Sequence, residues 1–169
     1  VCALLEEASP ERRDALLARI ARSLDRFLDG YAPDGGCDEG PSYFNVAGAS
    51  MLDALELFDL ASGGAASIYD EPLIQNMARY ILYAHIHGRY HVNFADAPAL
   101  VAPDAMLLHR AAERMGLDDL KRYAEYALAA GFAASPYQLI RHTEYRRLRN
   151  LLTYRRSSEA LPAADEPLS

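Results

Sequence analysis

The feature that most constrains this chain is a helical repeat of apolar residues along nearly its whole length, broken by glycine and proline. Apolar side chains three and four apart fall on one face of an α-helix, and that face needs something to pack against. Ser9-Pro10 is a helix start, with Ser as N-cap and Pro in the first turn, and Leu16, Leu17, Ile20, Leu24, Phe27 and Leu28 form a stripe ending near Gly30. Pro33, Gly35-Gly36 and Gly40-Pro41 make residues 31–42 a loop. A second helix is expected from about Ser42–Asn45 to Ala61, with Met51, Leu52, Leu55 and Phe58 inward and Gly63-Gly64 closing it. A third, capped by Asp70 and begun by Pro72, should run to about His87 on the stripe Leu73, Ile74, Met77, Ile81 and Leu82. After an irregular stretch, 88–103, helices are expected over 104–115 and 118–130, with Asp118 capping the second. The last opens at Ser135-Pro136 and carries Leu139, Ile140, Leu148, Leu151 and Leu152 to about Tyr154.

No alternation of strand type competes with these six segments, and short connections join most of them. The expected class is therefore all-α, built of antiparallel helical hairpins in one domain over residues 1–156. Residues 157–169, polar and proline-bearing, read as a linker or disordered tail. The chain has 169 residues, 51% of them hydrophobic and 24% charged, which suits a packed core. No apolar run reaches the ~18 residues a membrane span needs. Its net charge of −7 disfavours nucleic acid and anionic membranes as partners. Two cysteines, Cys2 and Cys37, make neither a disulfide framework nor a zinc site. The first residues, Val1-Cys2-Ala3-Leu4, have neither a starting Met nor a signal-peptide pattern, and are expected to lie inside a longer protein.

The richest stretch chemically is Asp34-Gly35-Gly36-Cys37-Asp38-Glu39-Gly40-Pro41-Ser42-Tyr43-Phe44-Asn45. It places three carboxylates, a tyrosine and an asparagine on a glycine-rich loop that opens a helix. Such a loop admits close approach of backbone to a ligand. Taken alone, the same residues also describe an acidic surface turn. Further on, His85-x-His87, His91 and Asp96 contain metal-ligand residue types, but two residues apart is the wrong spacing for one helix face. Histidines closing a helix at Gly88 are the simpler expectation, and no metal or other cofactor is expected. The final helix is arginine-rich, with Arg141, His142, Arg146, Arg147, Arg149, Arg155 and Arg156, and is expected to present a solvated face.

The run D-G-G-x-x-E-G-P-x-Y with a following aromatic, the helix containing Leu52-Asp53-Ala54-Leu55-Glu56, and the segment Val92-Asn93-Phe94-Ala95-Asp96-Ala97 together resemble the heparinase II/III-like polysaccharide lyases. Leu161-Pro162 resembles the linker preceding that family's β-sandwich. The resemblance implies that the helices form part of an (α/α) toroid around a sugar chain, and that the parent lyase breaks uronate-containing glycans by β-elimination. Tyr43 would then be the catalytic base and acid, with Glu39 contacting the substrate or, if protonated, its carboxyl group. Asp38, Asn45, His91, Asn93 and Asp96 would be substrate contacts, and sugar stacking would fall to Tyr31, Tyr43, Tyr90 or Phe44. The partners implied are an anionic poly- or oligosaccharide and a C-terminal β-sandwich of the same parent. The family's carboxylate-neutralising asparagine or histidine segment and its β-sandwich histidine match nothing in this sequence, so the segment by itself is expected to fold without lyase activity. The implied compartment is periplasmic or secreted, or cytoplasmic for a lyase of oligosaccharides.

Two other classes remain open on the residues. One is a non-catalytic helical interaction module. The other is a toroidal glycoside hydrolase, which needs two carboxyl groups roughly 5–9 Å apart across the sugar.

Overall fold

The computed structural model describes residues 9–132 and 144–157. In chain order it comprises α1 (Pro10–Asp29), α2 (Pro41–Phe44), α3 (Gly48–Ser62), α4 (Pro72–Tyr83), strands β1 (His85–His87) and β2 (Tyr90–His91), α5 (Ala105–Met115), α6 (Asp118–Ala129) and α7 (Glu144–Ser157). The described residues are mostly helical, as the apolar period requires, with one antiparallel two-stranded hairpin among them. The start expected at Ser135-Pro136, the side chains of Leu139, Ile140, Arg141 and His142, and the tail 158–169 lie outside the described residues.

The punctuation acts through identifiable bonds. Ser9 accepts a hydrogen bond from the backbone N–H of Arg12 and starts α1. Asp104 does the same for α5, accepting from Leu107 N–H at 3.1 Å. Gly63 and Gly116 end α3 and α5 in the left-handed conformation that a glycine adopts without strain. Two expected caps are displaced. Glu71 rather than Asp70 precedes α4, and Asp118 is the first residue of α6 rather than its cap.

The second expected helix is divided. α2 ends at Phe44, residues 45–47 turn, and α3 resumes at Gly48. Phe44 lies against Gly48 so closely that a Cβ there would come within 2.7 Å of the ring. A buried cluster then forms from Phe44, Leu52 and Leu55, from Ile74, Met77 and Ile81 of α4, and from Leu108, Leu120 and Tyr123 of α5 and α6. Only Gly116-Leu117 joins α5 to α6, so these two helices fold back on each other.

The third expected helix stops at Tyr83, four residues early. His85–His87 and Tyr90–His91 pair as strands, turning at Gly88 (φ +54°), so the histidines do not close a helix. Tyr90 also bridges to Leu100, and His91 N–H donates to Ala99 O, which draws the irregular 92–100 stretch back onto the hairpin.

Candidate functional site

Residues 31–40 are held by α4. Asp34 Oδ1 accepts from Gly36 N–H at 2.9 Å, fixing the turn. Asn76 donates to Pro33 O at 3.0 Å, and the Tyr80 hydroxyl donates to Cys37 O at 3.3 Å. Gly35 (φ +76°) lies so near the backbone of Asn76 and Met77 that a Cβ would stand 2.3 Å from it. Gly40 makes the contact that matters most: a Cβ there would lie 2.6 Å from Phe94 O and 2.7 Å from Ala97 Cβ. Thus the Asp38-Glu39-Gly40 turn abuts the 94–97 turn, although more than fifty residues separate them in the chain. The second turn is itself tight, with Ala97 N–H donating to Phe94 O at 3.0 Å and Ala95 at φ +48°.

The expected site residues therefore divide. Asp38, Glu39, Asn93 and Asp96 are exposed around this junction. Tyr43 is half-buried in the single turn of α2, its N–H donating to Gly40 O at 3.2 Å. Asn45 and His91 do not fit the role of substrate contacts. The Asn45 amide donates to Ala102 O (3.1 Å) and its oxygen accepts from Asp104 N–H (3.2 Å), so both ends are spent inside the protein. His91 is 1% exposed, with Nε2 paired to the Tyr123 hydroxyl at 2.8 Å and Nδ1 to Arg89 O at 3.1 Å. Phe44, also 1% exposed, offers no face to a sugar, whereas Tyr90 is 55% exposed and does. Among the described residues, no group of three or more His, Cys, Asp or Glu side chains is arranged to hold a metal ion.

A second polar cluster was not expected. The final helix is not simply a solvated face: Arg146 is 1% exposed, and its Nε donates to Asp53 Oδ2 at 2.6 Å while Nη1 donates to Asn45 O at 2.7 Å. Arg149 donates to Glu56 Oε1 at 2.7 Å, and Asn150 donates to Asp104 at 3.0 Å and accepts from Arg110 at 2.6 Å. Arg110 also meets Glu56, and Arg114 pairs with Asp59. Burial pushes the Asp53 carboxyl up to about 6, with Arg146 and Arg110 pulling the other way. At Glu56 burial also pushes upward, but Arg149, Arg110 and Arg114 outweigh it and hold the carboxyl below its ordinary value. The signal was in the spacing. Asp53, Glu56 and Asp59 share one face of α3 at intervals of three, and Arg146 and Arg149 share one face of α7. Arg147 of the same helix is exposed and pairs with Glu144, as a solvated face would.

A scan against protein-family models gives no match to this sequence, and a search of curated proteins gives none either.

Proposed function

We propose that this chain is helical-domain sequence of a heparinase II/III-like lyase that cleaves uronate-containing poly- or oligosaccharides by β-elimination, its helices forming part of an (α/α) toroid. The observation that carries the reading is the contact at Gly40. The two segments that carry the resemblance, 34–45 and 92–97, meet there, and Asp38, Glu39, Asn93 and Asp96 stand exposed around them.

The chemistry assigns the work as follows. The C5 proton of a uronate is weakly acidic, so its removal needs a base and stabilisation of the charge that develops on the carboxyl group. Tyr43 as phenolate takes that proton, the C5 electron pair forms the C4–C5 double bond as the C4–O bond breaks, and the same hydroxyl returns the proton to the departing oxygen. A tyrosine free in water ionises near pH 10, so substrate and surroundings must favour the phenolate. Asp38, Asn93 and Asp96 serve as partners for sugar hydroxyls. An ionised Glu39 would repel the uronate, so it acts on a hydroxyl or as a protonated donor to the carboxylate. The outward leucines of α7 and the half-covered stripe of α1 offer faces for further hairpins of such a toroid.

Those same faces also suit the second reading, a non-catalytic module that packs against other protein. Titration of the isotope-labelled chain with uronate oligosaccharides, followed by amide NMR shifts, separates the two. The lyase reading expects shifts concentrated in 38–43 and 93–97, and none with neutral glucan oligosaccharides of equal length. Shifts scattered elsewhere, or none at all, would refute it.

A further inference from the structure

We infer that His91 is an acid-sensitive latch, which holds the 89–101 segment closed while neutral and releases it when protonated. This holds whether or not the chain belongs to a lyase, because it rests on the hairpin's own bonds.

Both ring nitrogens of His91 are committed, and their partners fix the proton's place. Arg89 O can only accept, so Nδ1 carries the hydrogen and donates to it. Nε2 is therefore the bare nitrogen and accepts from the Tyr123 hydroxyl. Tyr123 is 0% exposed, so its hydroxyl has no solvent to turn to. A proton arriving at Nε2 forces that hydroxyl to turn its lone pair to the ring and strand its own hydrogen in the core. Acid thus creates a buried cation and an orphaned donor in one event.

The groups facing His91 do not relieve the charge. From β1, the ring of His85 lies 5.2 Å away, edge-on, with its Nε2 donating to Gly88 O; protonated, it would repel. From α6 come Tyr123 and, against His85, Tyr126, both neutral phenols. Arg89 offers its carbonyl while its own side chain is exposed, and His87 of β1 is exposed too. Burial, reinforced by His85 and opposed by the Arg89 carbonyl, holds the imidazole below its ordinary value.

What the latch restrains is clear from the backbone. His91 N–H donates to Ala99 O, Val92 N–H to Ala84 O, and Val101 N–H to the same Arg89 carbonyl that His91 grips. Opening at His91 therefore frees the turn bearing Asn93, Phe94 and Asp96 from one end.

The sign follows from linkage. A histidine whose folded value is depressed supports the closed form fully above its unfolded value, near 6.5, and loses that support as pH falls below it. The opening constant should rise by up to about tenfold per pH unit between the two values. Hydrogen exchange read by NMR, with the His91 ring followed directly, tests this. Amides 90–101 should lose protection in step with protonation of His91, while α5 amides keep theirs. Tyr123→Phe removes the hydroxyl that favours the neutral ring and should move the opening midpoint to higher pH. His91→Phe should remove the pH dependence in this range. The latch is overturned if α5 loses protection together with the hairpin, if His91 titrates while 90–101 stay protected, or if Tyr123→Phe leaves the midpoint unmoved.

Discussion

At Gly40 one backbone position decides whether two distant turns meet. Its φ of +87° with ψ 172° lies in a region that belongs almost wholly to glycine. Its missing side chain is also the space that Phe94 O and Ala97 occupy. Gly40→Ala adds backbone strain, on the order of 1–3 kcal/mol, to an overpacking cost of similar size. The expected loss is roughly 2–6 kcal/mol in urea unfolding, accompanied by amide shifts on both 38–43 and 92–97. Gly63 is a control for the contact, because it too has positive φ (+61°), in the milder left-handed helical region, and no described residue lies within 4 Å of a Cβ there. Gly63→Ala should cost about 1 kcal/mol and shift neither turn. Equal losses at the two glycines would mean that Gly40 is not the point of contact.

Among the elements, those bounded by strong punctuation were legible in the sequence. Ser9-Pro10, Pro72 and Gly116 set helix ends through a lone N–H acceptor, a fixed φ and a left-handed turn, and these are properties of single residues. The hairpin was not read, although Ile86 and the run from Tyr90 to Val92 flank a Gly88 turn, because α4's apolar period runs on into them. The meeting of Gly40 with Phe94 depends on tertiary packing that no local pattern encodes, and so does the burial of Asn45 and His91. α7 misled for another reason: its inner face is charged and its leucines face out, with Leu148, Leu151 and Leu152 at 57%, 69% and 52% exposure. A helix seated by arginines makes a specific demand. Arg146→Met leaves Asp53 buried without its closest cation, a change that typically costs about 3–5 kcal/mol. Replacing both members with Arg146→Met and Asp53→Leu removes the stranded charge, and stability in urea should recover by half or more. A double variant as unstable as the two single losses combined would mean that Arg146 and Asp53 do not act as a pair.

Across the whole molecule, stability should be graded from the α5–α6 hairpin outward. Leu108, Leu120, Tyr123 and Ala124 are 0% exposed, and α4 packs Ile74, Met77 and Ile81 against them. α1 has an amphipathic stripe but not one fully buried residue; among the described residues, only Leu24 and Leu28 of this helix, near its C-terminal end, pack against the core. An isolated helix in water is marginal below roughly 12–15 residues, and helices in proteins depend mainly on packing for their stability. With twenty residues and anchorage at one end, α1 should fray from Pro10 inward while its last turns stay formed. Native-state hydrogen exchange makes this testable: amides around Leu16 and Leu17 should open with a free energy near zero, those near Leu28 at an intermediate value, and those of Leu108 and Leu120 only with global unfolding. Leu28→Ala should shift the whole of α1 toward free exchange, because it removes part of the helix's one anchor, and leave α5 and α6 nearly unchanged. If α1 instead exchanged with the global free energy of the α5–α6 core, its stripe would have to be covered in solution. A second copy of the chain would then be the first candidate, and the concentration dependence of α1 protection would reveal it.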